Sequence, residues 1–293
     1  MKIIENEQLC VSVDDQGAQL SSLYDKKAGR ELLWGADPAV WGYHAPVLFP
    51  FVGMVNGGAY RYAGKTYQIR QHGFARQSLF ECVDRTDLSV THRLVPNEEI
   101  RALFPMDFCL EVTHTLEDDR LQIGWKVINP SREEPLYFSI GAHPGFTVPL
   151  LEGDRKEDCY VLFHGCDELK YILVDLSVTA ADPDHVYTMA LDNGFLKLER
   201  HLFDIDTFIF ENNQVEKASL CGPDKKPYVT VSCPGFPRFG LWTKSDEAPF
   251  VCLEPWYGRL DDKGFTGELP DKTGILHLEP GQVFNASYTI SVP

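Results

Sequence analysis

Apolar and polar residues alternate with a period of two along most of this chain. Phe108, Leu110, Val112, His114 and Leu116 alternate with Cys109, Glu111, Thr113 and Thr115. After Glu117-Asp118-Asp119-Arg120 the alternation resumes through Leu121, Ile123, Trp125 and Val127. That pattern predicts a hairpin with one apolar face. Tyr60 to Ala63 and Thr66 to Ile69 flank Gly64-Lys65, which reads as a two-residue turn. Further strands are expected at Leu9 to Val13, Gln19 to Tyr24, Leu79 to Asp84, Leu88 to Leu94, Tyr137 to Ile140 and Tyr160 to His164. The second half adds Thr207 to Glu211, Tyr228 to Ser232, Phe239 to Thr243, Phe250 to Leu253, Gly274 to Leu278 and Asn285 to Val292. The acidic run Asp182 to Asp184 reads as a solvated loop. No long helical stripe is present. A short helix is expected over Asn97 to Leu103, with Asn97 as N-cap and acids in the first turn. No internal repeat or low-complexity tract interrupts the pattern. The expectation is an all-β chain, a large antiparallel β-sandwich forming one domain over residues 1–293.

Composition narrows the function. A net charge of −16, from 43 acidic and 27 basic residues, argues against nucleic acid or an anionic membrane as partner. It favours a neutral small molecule, although a local Arg cluster can override the global field. The opening residues Met1 to Glu7 carry acids where a signal peptide has its apolar core. No apolar run approaches the roughly 20 residues needed to span a bilayer. A cytoplasmic location is the expectation. The eight cysteines contain no CxxC pair and are expected to be mostly free thiols. Cys159, His164 and Cys166 are the one local cluster with metal-ligating character, but zinc needs a fourth ligand that the spacing does not announce. A buried strand or loop is the better reading of that segment.

Three segments place a proton-transfer group among Gly, Pro and aromatic residues. They are Gln71-His72-Gly73-Phe74-Ala75-Arg76, Gly141-Ala142-His143-Pro144-Gly145-Phe146 and Leu253-Glu254-Pro255-Trp256-Tyr257-Gly258. His and Glu are frequent general acids and bases. Gly and Pro on both sides of His143 suggest a sharp turn displaying the ring, while Glu254 follows an apolar strand and precedes a proline. Phe74 and Trp256 could be core residues or could pack on the apolar face of a sugar. Arg76 could pair with a surface acid or hold a ligand. The remaining histidines, His44, His92, His114, His164, His185, His201 and His277, read as hydrogen-bonded structural residues.

These segments, with Leu48-Phe49-Pro50-Phe51-Val52-Gly53 and Phe104-Pro105-Met106-Asp107-Phe108, occur in an order that resembles the aldose 1-epimerases of the galactose mutarotase superfamily, within them the LacX-like branch. The resemblance runs nearly end to end. It implies a β-supersandwich and reversible interconversion of the α and β anomers of an aldose. It implies His143 as general acid, Glu254 as general base and His72 as the group that orients the sugar. Asp206, in Phe203-Asp204-Ile205-Asp206-Thr207-Phe208, matches a hydroxyl-binding Asp more loosely. The branch usually carries an Arg after Phe-Pro-x-Val-Gly, and here that position is Met54. Either Arg76 supplies the contact or specificity has changed.

The reaction would use Glu254 as carboxylate on the C1 hydroxyl and His143 as imidazolium on the ring oxygen. Both are expected to line one open cleft, with His72 beside His143 and room for a pyranose between acid and base. No metal, nicotinamide or other cofactor is signalled: there is no GxGxxG after a strand and no HExxH. Two alternatives stay open. One is a phosphohexose 1-epimerase, which would need an Arg or Lys cluster at one end of the pocket. The other is a catalytically weak carbohydrate-binding or regulatory protein on the same fold.

Overall fold

The computed structural model describes residues 1–293. Its hairpin of Cys109–Glu117 and Arg120–Ile128 follows the alternation as expected: Leu110, Val112, His114 and Leu116 are buried, and Glu117 pairs with Arg120 across the turn. This hairpin lies within a nine-stranded antiparallel sheet. The sheet runs, edge to edge, through Phe195–Lys197, Tyr160–Phe163, Lys217–Cys221, Pro227–Ser232, Val283–Ser291, Arg120–Ile128, Cys109–Glu117, Ser89–Leu94 and Glu81–Arg85.

A second, eight-stranded sheet runs through Ala180–Ala190, Glu168–Asp175, Phe208–Glu211, Arg238–Trp242, Phe250–Tyr257, Ile140–Ala142 and Val47–Leu48, with Gly145–Thr147 also paired to Phe250–Tyr257. A four-stranded sheet of Lys2–Glu5, Leu9–Val13, Leu20–Asp25 and Arg30–Glu31 and two short ribbons complete the β structure. The one α-helix, Glu98–Leu103, is capped as expected: the Ile100 N–H donates to the Asn97 side chain. No helix is long and apolar enough to cross a membrane.

The two large sheets share one core of 63 buried apolar residues, among them Leu110, Val112, Ile123 and Val231 from the first and Phe208, Phe210, Leu241, Val251 and Leu253 from the second. Sheets packed face to face in this way make a β-sandwich. The eight-stranded sheet is also covered on its other face. There Leu48, Val52, Ile172, Ala181, Ile209, Trp256 and Leu260 form a separate apolar cluster. Along Phe250–Tyr257, Val251 and Leu253 therefore point into the main core, while Cys252, Glu254 and Trp256 point to the outer face. That face holds the candidate site.

Four local readings are corrected. The tight turn is Ala63-Gly64, not Gly64-Lys65: Tyr62 pairs with Lys65, and both turn residues have positive φ, as a two-residue hairpin turn of primed type requires. Asp182 to Asp184 belong to the strand Ala180–Ala190 rather than a loop. It is an edge strand, so Pro183 removes no needed hydrogen bond. Glu254 lies inside the strand Phe250–Tyr257 rather than after it. Phe74 is a core residue, treated below.

Candidate active site

The strand segments Ile140–Ala142 and Gly145–Thr147 both run antiparallel to Phe250–Tyr257. Gly141 pairs with Trp256 and Gly145 with Cys252, and the ladder is broken between them. Pro144 and Pro255, neither of which has an N–H to give, both fall in the gap. The same register sets His143 opposite Glu254. His143 Nε2 lies 3.3 Å from Glu254 Oε2, with the two side chains 8% and 1% exposed. They are in contact but poorly aligned, and neither Glu254 oxygen makes a hydrogen bond. The expected room for a pyranose between acid and base is therefore absent. The two groups sit side by side, and a sugar must lie over the pair.

His72 is held by two bonds to one residue. Its own N–H donates to the Gly53 carbonyl at 2.8 Å, and the Gly53 N–H donates to its Nδ1 at 3.0 Å. Accepting at Nδ1 leaves a neutral His72 with its proton on Nε2. This placement uses unusual backbone: His72 has φ 66° and Gly73 φ 71°. A Cβ on Gly73 would stand 2.3 Å from the Phe49 carbonyl oxygen, so only glycine fits there. The His72 ring meets the His143 ring edge-on at 5.5 Å.

Together with these, Met54, Arg76, Asp206 and Trp256 line one cleft of about 400 Å³, a volume in the range of small-molecule sites. Phe74 does not line it. After the turn at His72-Gly73 its ring goes into the main core, packed on Phe49, Phe104 and Phe108 at 5.8 to 6.0 Å. Trp256 lies flat across two glycines: a Cβ on Gly141 or Gly240 would come within 2.6 Å of its ring. The Arg76 guanidinium sits 4.7 Å from the centre of the Tyr43 ring and donates to the Gln71 carbonyl. It makes no salt bridge, so its charge is free for a ligand. Asp206 Oδ1 accepts from the Thr207 N–H and hydroxyl, leaving Oδ2 unengaged.

Reading single residues missed several wall residues: Val40, Trp41, Gln71, Leu176, Thr179, Trp242 and Lys244 also face the cleft. The Trp41 and Trp242 rings lie 4.9 and 5.4 Å from the His143 ring. Trp41, in Trp41-Gly42-Tyr43-His44, repeats the pairing of aromatics with glycine seen in the chosen motifs and was the one findable signal.

Burial sets the protonation states. It pushes the Glu254 carboxyl well above the usual carboxylate range, and the nearby Asp206 adds to this. The Trp256 indole N–H pulls the other way but is not aligned to bond the carboxylate. Burial, then the Arg76 charge, lowers His143 to about 3. Burial, followed by His143 and Arg76, also holds His72 well below its ordinary value. The free site thus favours carboxylic acid plus imidazole over the expected carboxylate plus imidazolium. Arg76 Nε, His143 Nδ1, both Glu254 oxygens and Trp256 Nε1 are buried without hydrogen-bond partners. All four residues line the cleft, so polar atoms without a protein partner gather there and suit a polar ligand.

The cluster Cys159, His164 and Cys166 does not converge. Cys159 turns to the Arg155 carbonyl, His164 Nε2 to the Ser219 hydroxyl and Cys166 to the Gln214 carbonyl. His143, Cys252 and Glu254 do bring ligand atoms within 4.8 Å of one another and could hold a thiophilic cation. The other histidines bond locally, as with His44 to the Trp34 carbonyl and His92 to Asp15. His114, buried and without a side-chain hydrogen bond, is the exception.

Comparison with known proteins supplies the family. The aldose 1-epimerase family model matches residues 2–264. The chromosomal LacX protein of Lactococcus lactis subsp. lactis is 31% identical over 295 residues, covering 99% of this chain and 98% of that protein. Among solved structures, a galactose mutarotase related enzyme from Lactobacillus acidophilus superposes with a TM-score of 0.93 at 35% identity, over 100% of this chain and 97% of that one. A galactose mutarotase-like protein from Lactobacillus casei gives 0.91 at 29% identity, over the whole of both chains. With a family model spanning most of its length and a LacX relative aligned end to end, this chain belongs to the aldose 1-epimerase family.

Proposed function

We propose that this protein is a cofactor-independent aldose 1-epimerase that interconverts the α and β anomers of a free sugar. The observation that carries the reading is the buried contact between His143 and Glu254 at the floor of a cleft whose polar atoms lack partners. A sugar laid over the pair brings its C1 hydroxyl to Glu254 and its ring oxygen to His143. A hydroxyl donating to Glu254 favours the carboxylate, because a hydrogen bond to the charged form stabilises it. The proton then passes to His143, converting the neutral pair into carboxylate and imidazolium. Glu254 takes the C1 hydroxyl proton as His143 protonates the ring oxygen, and the C1–O5 bond opens. The aldehyde rotates about C1–C2 and recloses on its other face with the two roles exchanged. His72 Nε2–H, Arg76 and Asp206 Oδ2 orient the remaining hydroxyls, and Trp256 and Trp242 offer apolar ring faces.

Reading residues 1–293 as one domain is supported by the core that both large sheets share. A polarimetric assay of the purified protein on freshly dissolved α-glucose and α-galactose tests the function. The expected result is equilibration faster than the spontaneous rate, while a rate equal to the blank leaves the carbohydrate-binding reading in its place.

A further inference from the structure

Beside the catalytic cleft lies a second cavity of about 540 Å³. The two share Leu176, Asp206, Trp242 and Lys244 as a common wall. We infer that they are two subsites for one ligand, and that the preferred substrate is a reducing disaccharide. Its reducing ring lies over His143 and Glu254, and its second, neutral sugar ring lies in the outer cavity. The inference rests on the epimerase reading above.

Three features of the outer cavity carry it. Its wall includes the rings of Phe203 and Trp242, which suit the C–H face of a second pyranose. Four carboxylates face it, Asp204, Asp206, Asp246 and Glu247, against Arg200 and Lys244 as fixed cations and His201, whose Nδ1 lies 3.0 Å from Asp204 Oδ2. Arg200 is already engaged by Asp246 and Glu247, whereas Lys244 makes no salt bridge. Carboxylates accept bonds from sugar hydroxyls and repel a phosphate, so this lining fits a neutral sugar and opposes a phosphorylated one. Finally, Asp206 faces both cavities. It can bridge the rings at the glycosidic link, which must leave the reducing sugar from a carbon remote from C1, such as C4 or C6. The chemical step is unchanged, since only the reducing C1–O5 bond opens and closes.

The test compares kcat/KM for mutarotation of glucose, galactose, glucose 6-phosphate, maltose, lactose and melibiose, in the wild type and in Ser245→Trp. Ser245 is exposed, lines only the outer cavity and uses only its carbonyl for structure. A tryptophan there should fill the outer cavity without touching the catalytic cleft. The expected result is at least one disaccharide favoured tenfold or more over both hexoses. Ser245→Trp should abolish that preference and leave hexose turnover unchanged. The inference is overturned if the preference is below tenfold, if it survives Ser245→Trp, or if glucose 6-phosphate is the best substrate. If no sugar is turned over, the epimerase reading fails by itself and calorimetry decides the subsite. Disaccharide binding tenfold tighter than glucose, lost in Ser245→Trp, upholds it, and anything weaker overturns it.

Discussion

His143 and Glu254 are cross-strand neighbours. The register that pairs Gly141 with Trp256 and Gly145 with Cys252 sets them opposite one another, and their reactive atoms lie 3.3 Å apart. The sheet thus holds two residues more than a hundred positions apart as one buried pair, which the proposed reaction uses as a proton-handling unit. Glu254→Gln keeps the shape and removes the base. Mutarotation should fall by about 10²-fold or more, with the far-ultraviolet circular dichroism of the wild type. His143→Ala should do the same, and the double variant should be little worse than either single one, as for residues that work as a unit. Wild-type rates in both single variants would remove the pair from the chemistry.

The pair also fixes a pH signature. Its working form holds one proton, which persists from His143's lowered value of about 3 up to the raised value of Glu254. The profile of kcat/KM should therefore be bell-shaped, with its acid limb near 3 instead of the ordinary imidazole value of 6.5 and its alkaline limb at the raised value of Glu254. An acid limb near 6.5 instead of 3 would show that His143 titrates as an accessible imidazole beside a protonated Glu254.

Stability should move in a matching way. Between the ordinary Glu value of 4.5 and the raised folded value, the folded state holds a proton that the unfolded state has lost. Stability then falls as pH rises through that window, by about 1.4 kcal/mol per pH unit from this group. Gln has no such proton. The advantage of Glu254→Gln over wild type in urea unfolding should grow as pH rises above 4.5, up to the raised folded value of Glu254. A constant difference would mean that Glu254 ionises at its ordinary value.

With side chains as the proposed acid and base, activity should survive exhaustive chelation. Loss of activity restored by added zinc would instead assign a metal to His143, Cys252 and Glu254, whose ligand atoms already lie within 4.8 Å of one another.

Legibility in the sequence followed exposure. Cys109–Glu117 alternates buried with half-exposed positions, so its period of two survives in the residue types. Phe250–Tyr257 is covered on both faces, so Phe250 to Leu253 reads as an apolar run without alternation. Glu254 then looked like the residue after the strand and Pro255 like its end. Ala180–Ala190 failed in the opposite way: mostly exposed and carrying Asp182, Pro183 and Asp184, it offers no apolar face to betray a strand. The His72, His143 and Glu254 motifs were visible because unusual backbone needs Gly and Pro in sequence beside the functional group. Lys244 had no such neighbour, and Trp242, two residues after Gly240, comes to the cleft only through the sheet. Phe74 shared its motif with His72, but the turn sends the two side chains to different places.

Gly240 tests whether Trp256 is a platform. A Cβ there would stand 2.5 Å from the indole ring. Gly240→Ala should tilt the ring, cost about 1–3 kcal/mol of stability by overpacking, raise KM more than it lowers kcat, and shift the tryptophan fluorescence. An unchanged KM with the same stability loss would confine Trp256 to packing.

Met54 occupies the wall where the family resemblance expects an Arg, in the same cleft as the unpaired charge of Arg76. A guanidinium there would donate a charge-assisted hydrogen bond to a sugar oxygen, and a thioether does not. The missing bond should weaken hexose binding by about 1.5–3 kcal/mol, or roughly 10 to 150-fold. The wild type should therefore bind glucose and galactose with Michaelis constants in the millimolar range or above, and Met54→Arg should lower them. That weakness also gives the outer cavity its use, because contacts to a second sugar ring would restore the affinity that Met54 withholds. Micromolar binding of a hexose by the wild type would show that Arg76 already fills the role. A folded Met54→Arg variant without activity would show that the cleft is built around the apolar side chain.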